Sequence, residues 1–122
     1  MSSPSADSPE VNPPNEAIAH LISALDLEDT CQVIQTYLRE FDRELRRIAT
    51  ADRVTQQRIA HSLKSSSAQM GALALSQRMA AIEKRLPAGG VEVSPAEAAE
   101  LLVDFETSSA PLRAFAAKHA TG

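Results

Sequence analysis

One histidine in this chain lies close in sequence to a lysine that could act with it. His61 and Lys64 are three residues apart in the segment RIAHSLKSSSAQMG, residues 58–71. A neutral imidazole is a nucleophile, and on a helix a lysine at this spacing lies one turn away on the same side. Its ammonium group would favour the neutral ring and could bind phosphoryl oxygens as a point charge. The segment therefore combines a nucleophilic nitrogen with a nearby cation.

The neighbours of His61 on a helix are small or polar. At about 100° per residue, Ile59, Leu63 and Met70 lie roughly opposite His61, so a core that buried them would leave the imidazole in solvent. The residues within about 60° of the histidine are Gln57, Arg58, Lys64, Ser65 and Ala68. The serine and the alanine leave the ring accessible to a protein surface. The alternative interpretation is an ordinary exposed histidine on a polar helix face.

Composition and periodicity predict an all-helical domain around this face. The chain has 122 residues, with no Trp, one Tyr and three Phe, and this length allows one compact core. Apolar residues recur at intervals of three and four, most clearly at Ile34, Leu38, Phe41, Leu45 and Ile48. The predicted fold class is all-α, an antiparallel four-helix bundle with a short additional N-terminal helix.

Capping residues predict the helix boundaries. Asn15 would cap the short helix, which ends near residue 25, and Asp52 and Ser94 predict two further N-caps. Ser94 also begins a Ser-Pro-Ala-Glu capping box with Glu97. The longer helices are expected at about 28–51, 52–70, 72–86 and from 94 onward. Pro111 lacks an amide donor and predicts a kink or break in the last of them.

The first 14 residues differ in composition from the rest. Residues 1–14, MSSPSADSPEVNPP, contain four prolines, four serines and almost no large apolar side chains. Such a segment cannot bury enough surface to offset its chain entropy. Residues 1–14 are therefore predicted to be a disordered Ser/Pro-rich tail, and residues 15–119 the helical bundle domain.

Charge and motif content argue against several other classes. The net charge of −4 is opposite to that of most nucleic-acid-binding domains. The single cysteine and three scattered histidines show no metal-ligand spacing. The four glycines form no nucleotide-binding loop, so neither ATP binding nor autokinase activity is expected. No apolar run is long enough to span a bilayer and no secretory signal is visible, so the expected location is cytoplasmic, without a membrane partner.

The segment around His61 resembles a known family signature. Residues 61–72, HSLKSSSAQMGA, resemble the pattern H-x-L-K-G-[SA]-[SA]-x-x-[LM]-G-[AL] of histidine-containing phosphotransfer (HPt) domains. The similarity extends to Ala60, to the helix that contains Phe41 and to residues 79–83, MAAIE, and covers about residues 16–118. Ser65 departs from it, because the family glycine is understood to leave room for an incoming receiver domain. The serine hydroxymethyl group could narrow that approach or hydrogen-bond a phosphoryl oxygen.

The resemblance implies a role in a multistep two-component phosphorelay. His61 would accept a phosphoryl group from a receiver-domain aspartyl phosphate, through its Nε2 atom, and pass it to another receiver, while Lys64 stabilises the phosphoryl oxygens. The residues expected to dock the partner are Gln57, Arg58, Ser65 and Ala68. The partners would be receiver domains of response regulators or a hybrid histidine kinase. The chain itself would be a monomeric phosphocarrier, not an enzyme, with no cofactor, and Mg²⁺ is expected on the partner receiver.

Two other interpretations stay open at this point. The chain could be a helical adaptor that docks a receiver domain or a histidine kinase without carrying phosphate, with Ser65 as the trace of a lost activity. It could also be an unrelated structural bundle, in which the spacing of His61, Lys64 and Gly71 arises by chance. Exposure to a phosphorylated receiver distinguishes the first of these from a phosphocarrier.

Overall fold

All regular secondary structure in the described part of the chain is helical. The computed structural model describes residues 11–120, and its five helices, in chain order, are α1 Glu16–Ala24, α2 Leu27–Ile48, α3 Arg53–Gln69, α4 Leu73–Arg85 and α5 Pro95–His119. The all-α prediction is confirmed. Residues 1–10 of the predicted tail lie outside the described residues, and residues 11–14 form no helix.

The predicted N-caps are confirmed. The side chains of Asn15, Asp52 and Ser94 each accept a hydrogen bond from the backbone N–H three residues later, which satisfies an amide at the start of α1, α3 and α5. The capping box predicted for α5 is only half formed, because the Glu97 carboxylate binds the Arg85 guanidinium of α4 instead. This ion pair ties the end of α4 to the start of α5.

The largest buried side chains join α2 to α5. Phe41 of α2 stacks on Phe105 of α5 with ring centroids 4.4 Å apart, and Tyr37 meets both rings edge-on. All five apolar positions that predicted the α2 face are buried. Aromatic pairs in these geometries contribute beyond their buried area, so the α2–α5 contact forms the centre of the core.

Two polar contacts fix the ends of α3, the helix that carries His61. Near its start, the fully buried Gln56 donates to the carbonyl of Ile48 at 2.8 Å and accepts from the amide of Val93 at 2.9 Å. At its end, the Asn15 amide donates to the carbonyl of Met70 at 3.0 Å. Buried polar groups are costly unless they are paired, so these contacts define the position of α3 between its neighbours.

The turn after α3 requires glycine on two grounds. Gly71 has φ +80°, the left-handed conformation expected at a helix C-terminus. A Cβ atom there would also lie 2.6 Å from the Asn15 side chain. The sequence prediction of a glycine stop at the end of this helix is confirmed.

Of the kink or break predicted at Pro111, the break is wrong. Helix α5 continues from Pro95 to His119 with Pro111 inside it. Proline removes one amide donor from the helix, but Thr107, whose carbonyl is left without that partner, is exposed, so water can satisfy the carbonyl. Buried side chains on both sides, Ser109 and Leu112, hold the helix against the core across this position. Helix α2 also ends earlier than expected, at Ile48 rather than near residue 51.

Candidate functional site

The imidazole of His61 projects into solvent from the polar face of α3. Its side chain is 63% exposed, whereas Ile59, Leu63 and Met70 on the opposite face are almost fully buried. The exposure predicted from helical periodicity is therefore confirmed. A reactant on the surface of another protein can reach the ring without any opening of the bundle.

A carboxylate from α4 binds both His61 and Lys64. Oε2 of Glu83 lies 2.5 Å from Nδ1 of His61, and Oε1 of the same carboxylate lies 2.7 Å from Nζ of Lys64. Helix α4 is held beside this face by Ser76, whose hydroxyl donates to the carbonyl of Lys64 at 2.9 Å. We refer to His61, Lys64 and Glu83 as the histidine cluster.

The charge state of Glu83 determines which ring nitrogen is available. The Lys64 ammonium, and in smaller part the His61 ring, hold the pKa of the Glu83 carboxyl below its usual range. Glu83 is therefore a carboxylate at neutral pH, and a carboxylate can only accept hydrogen bonds. Nδ1 of a neutral His61 must then carry the proton that it donates to Glu83, which leaves the lone pair on Nε2. The contact selects the tautomer with a nucleophilic Nε2.

The family comparison agrees with these observations. The Hpt domain family model matches residues 26–110, from the N-cap of α2 into α5. The matched range includes all three members of the histidine cluster. The chain belongs to the Hpt domain family. Hpt domains have a phosphotransfer role in two-component signalling, act as phosphocarriers rather than enzymes, and interact with receiver domains and histidine kinases. No curated protein and no solved structure matches the chain significantly.

The other predicted site residues of this Hpt domain share the face of His61. Arg58, Ser65 and Ala68 are exposed, and Gln57 is half-buried. The next two serines in the sequence are used by the fold: Ser66 donates to the carbonyl of Leu63, and the buried hydroxyl of Ser67 is hydrogen-bonded to Tyr37. By helix geometry these predicted docking residues lie within about 60° of His61 around α3, and Ser65 is the exposed member of the run of three serines at residues 65–67.

Sequence reasoning assigned no role to Glu83. The residue lies 22 positions after His61, on another helix, and it belongs to the MAAIE segment that supported the family resemblance. Its own signal is weak, because an acidic residue next to a buried one, here Ile82, is ordinary on an amphipathic helix. Only the packing of α4 against α3 shows that its carboxylate faces the histidine.

The remaining candidate residues of the Hpt domain lack a comparable setting. His20 is exposed, and the ring of His119 packs against Phe115 at the end of α5, with centroids 4.7 Å apart. Cys31 is a buried packing residue, and burial raises the pKa of its thiol. Within residues 11–120, no group of three or more His, Cys, Asp or Glu residues could hold a metal ion, and no helix is long and apolar enough to cross a membrane.

Proposed function

We propose that this Hpt domain is a phosphorelay intermediate that carries a phosphoryl group on Nε2 of His61. The donor would be the aspartyl phosphate of a receiver domain, and the acceptor would be the aspartate of another receiver. One observation carries the proposal: a solvent-exposed imidazole whose Nδ1 atom is bound by a carboxylate. That contact leaves the outward-facing nitrogen with a lone pair for attack on phosphorus.

The transfer balances without a cofactor on this chain. The Nε2 lone pair forms the new N–P bond while the P–O bond of the aspartyl phosphate breaks, and its electron pair stays on the receiver carboxylate. The ring gains positive charge as the N–P bond forms, and the Glu83 carboxylate stabilises that charge through the Nδ1 proton. Return of the phosphoryl group to a receiver reverses each of these changes.

Lys64 can contribute to phosphoryl transfer in two ways, indirectly through Glu83 or by direct contact with the phosphoryl oxygens. Its ammonium group pairs with Glu83, so it keeps that carboxylate charged and correctly oriented toward the ring. The direct contact with phosphoryl oxygens predicted from the sequence requires the lysine to leave Glu83 and turn toward the transferred group. We assign the first contribution to the resting protein and retain the second as a prediction for the phosphorylated one.

The partner supplies what this surface lacks. Phosphoryl transfer depends on positioning and charge stabilisation, and we propose that the receiver contributes the Mg²⁺ ion for both. The contact surface around His61 would be formed by Gln57, Arg58, Ser65 and Ala68.

We further propose that residues 15–119 form the domain and that its four longer helices make an antiparallel bundle. The protein would work as a cytoplasmic monomer.

The test is labelling by a phosphorylated receiver domain. His61→Gln removes the nucleophile from an exposed position, so we expect complete loss of labelling with a change of less than about 0.5 kcal/mol in the free energy of unfolding. His119→Gln is the matched control and should be labelled like the wild type. The phosphoryl group should be lost in acid and retained in alkali, because protonation of the ring makes it a better leaving group.

Two results would contradict the proposal. Labelling of His61→Gln at the wild-type rate would place the phosphoryl group on another residue. A wild-type protein that binds a receiver tightly but never becomes labelled would support the adaptor interpretation instead. Mass spectrometry of the intact protein and of its peptides distinguishes these results.

A further inference from the structure

The contact between His61 and Glu83 defines which side of α3 a phosphoryl group would occupy. Because Nδ1 is bound by Glu83 at 2.5 Å, that edge of the ring faces α4. The two nitrogens of an imidazole direct their outward bonds apart, since one carbon separates them in a five-membered ring. A group on Nε2 is therefore directed away from Glu83, and this inference rests on the proposed function of His61.

Electrostatics favours the same direction. The phosphoryl group is an anion, and the nearest charged group on the α4 side of the ring is the Glu83 carboxylate, which repels it. The cation on that side, Lys64, already pairs with Glu83 at 2.7 Å. Approach to the α4 side would thus require both a like-charge contact and the loss of an existing ion pair.

The opposite side of α3 offers a cation and a hydroxyl. With about 100° per residue, Lys64 lies about 60° from His61 toward α4, whereas Arg58 and Ser65 lie about 60° and 40° away in the other direction. Helical side chains lean toward the N-terminus, so Ser65 leans toward His61, and the His61 ring lies over the turn that contains Arg58. Both side chains are exposed.

The Arg58 guanidinium is available for a new contact. It takes part in none of the ion pairs found among residues 11–120. Its charge contributes only in small part to the lowered pKa of Asp52, which is due first to the hydrogen bonds with Thr55. Guanidinium groups match the geometry of phosphoryl oxygens, to which they donate two hydrogen bonds at once.

We infer that Arg58 and Ser65 are the phosphoryl ligands of this domain: the Arg58 guanidinium and the Ser65 hydroxyl donate hydrogen bonds to the oxygens of the group carried on Nε2 of His61. In the resting protein Lys64 acts through Glu83, and its own contact with the phosphoryl group requires it to leave that carboxylate. The serine that replaces the family glycine becomes a donor to the transferred group instead of an obstacle to the partner.

The experiment separates contact with the phosphoryl group from contact with the partner. Full-length wild type, Arg58→Gln, Ser65→Ala and the control Arg39→Gln, an exposed arginine on α2, are phosphorylated by phosphoramidate, a small donor that needs no docking surface. With it, we expect Arg58→Gln to react about tenfold more slowly and Ser65→Ala about two- to threefold more slowly. Arg39→Gln should react at the wild-type rate, and the same ranking should appear with a phosphorylated receiver.

A spectroscopic measurement tests the contact itself. In arginine-labelled wild-type protein, phosphorylation of His61 should shift the Nε–H signal of Arg58 and leave that of Arg39 in place. The inference is overturned if Arg58→Gln is slowed only with the receiver, which would make Arg58 a docking residue, or if the Arg58 signal does not move. These failures differ from failure of the proposed function, in which the wild type is never labelled by a receiver.

Discussion

The α2–α5 pair and the α3–α4 pair perform different tasks in this molecule. Helices α2 and α5 meet through the stacked rings of Phe41 and Phe105, and the polar face of α2 is covered by local ion pairs such as Arg46–Asp42. The buried side chains of α3 and α4 include no aromatic ring, and the contact of these two helices at the surface contains the histidine cluster. The comparison indicates that the aromatic core lies in one helix pair and the histidine cluster in the other. Substitutions in the histidine cluster should therefore leave the free energy of unfolding largely unchanged.

The largest expected effect is on the core pair. Phe105→Ala removes the ring that stacks on Phe41, and we expect it to lower the free energy of unfolding by about 3–5 kcal/mol. Val103→Ala, on the exposed side of the same helix, is the control and should change that free energy by less than about 0.5 kcal/mol. Urea titration followed by circular dichroism measures both. Equal effects of the two substitutions would show that the aromatic stack is not the centre of the core.

The second effect is on the chemistry of the α3–α4 pair. Glu83→Gln keeps the shape of the side chain but removes its charge, and a neutral acceptor stabilises a ring that is gaining positive charge less well. We expect labelling of His61 to slow about tenfold, with a change of less than about 1 kcal/mol in the free energy of unfolding. Glu92→Gln, which alters an ion pair with Arg53, is the control. Equal labelling rates for the two variants would remove Glu83 from the site.

The smallest expected effect is the stability that one carboxylate in each helix pair contributes, and loses in acid. The pKa of Glu83 is lowered chiefly by Lys64, and that of Glu44 on α2 chiefly by Arg47. A carboxyl whose pKa is lowered by folding stabilises the protein above its ordinary pKa, 4.5, and loses that contribution as the pH falls through the lowered value. Solvent screening limits each contribution to a few tenths of a kcal/mol.

Urea midpoints at several pH values test this comparison. Glu83→Gln and Glu44→Gln should each be slightly less stable than the wild type at neutral pH. Both differences should disappear at a pH below the lowered pKa values, where the wild-type carboxyls are also protonated. A difference that persists unchanged in acid would show that the substitutions act through packing rather than through charge.

Much of the fold was predictable because its signals are local. The N-caps at Asn15, Asp52 and Ser94 and the left-handed Gly71 depend on a few neighbouring residues, and the face of α2 follows from spacing alone. The break expected at Pro111 did not occur. The rule that proline interrupts a helix considers only the lost amide donor. It does not include the contacts that α5 makes with the core on both sides of the proline.

Only the part of the site that lies on α3 was predictable from the sequence. The exposure of His61 and the small residues around it follow from the periodicity of α3. The contact of Glu83 with His61 and Lys64 depends on how α4 packs against α3, which no spacing in the sequence specifies. Helix α3 alone predicts that Lys64 binds phosphoryl oxygens directly. Its ion pair with Glu83 adds a second role in the resting protein, and the direct contact stays a prediction.

The central claim is that the Glu83 contact leaves Nε2 of an exposed His61 as the atom that carries the phosphoryl group. Long-range ¹H–¹⁵N NMR of the imidazole tests it, recorded in mildly alkaline buffer, where imidazoles are neutral, before and after reaction with a phosphorylated receiver. Before the reaction, the account predicts a proton on Nδ1 and none on Nε2; afterwards, it predicts phosphorus bonded to Nε2. A ring protonated on Nε2 before the reaction, or a His61 signal unchanged after it, would contradict the account.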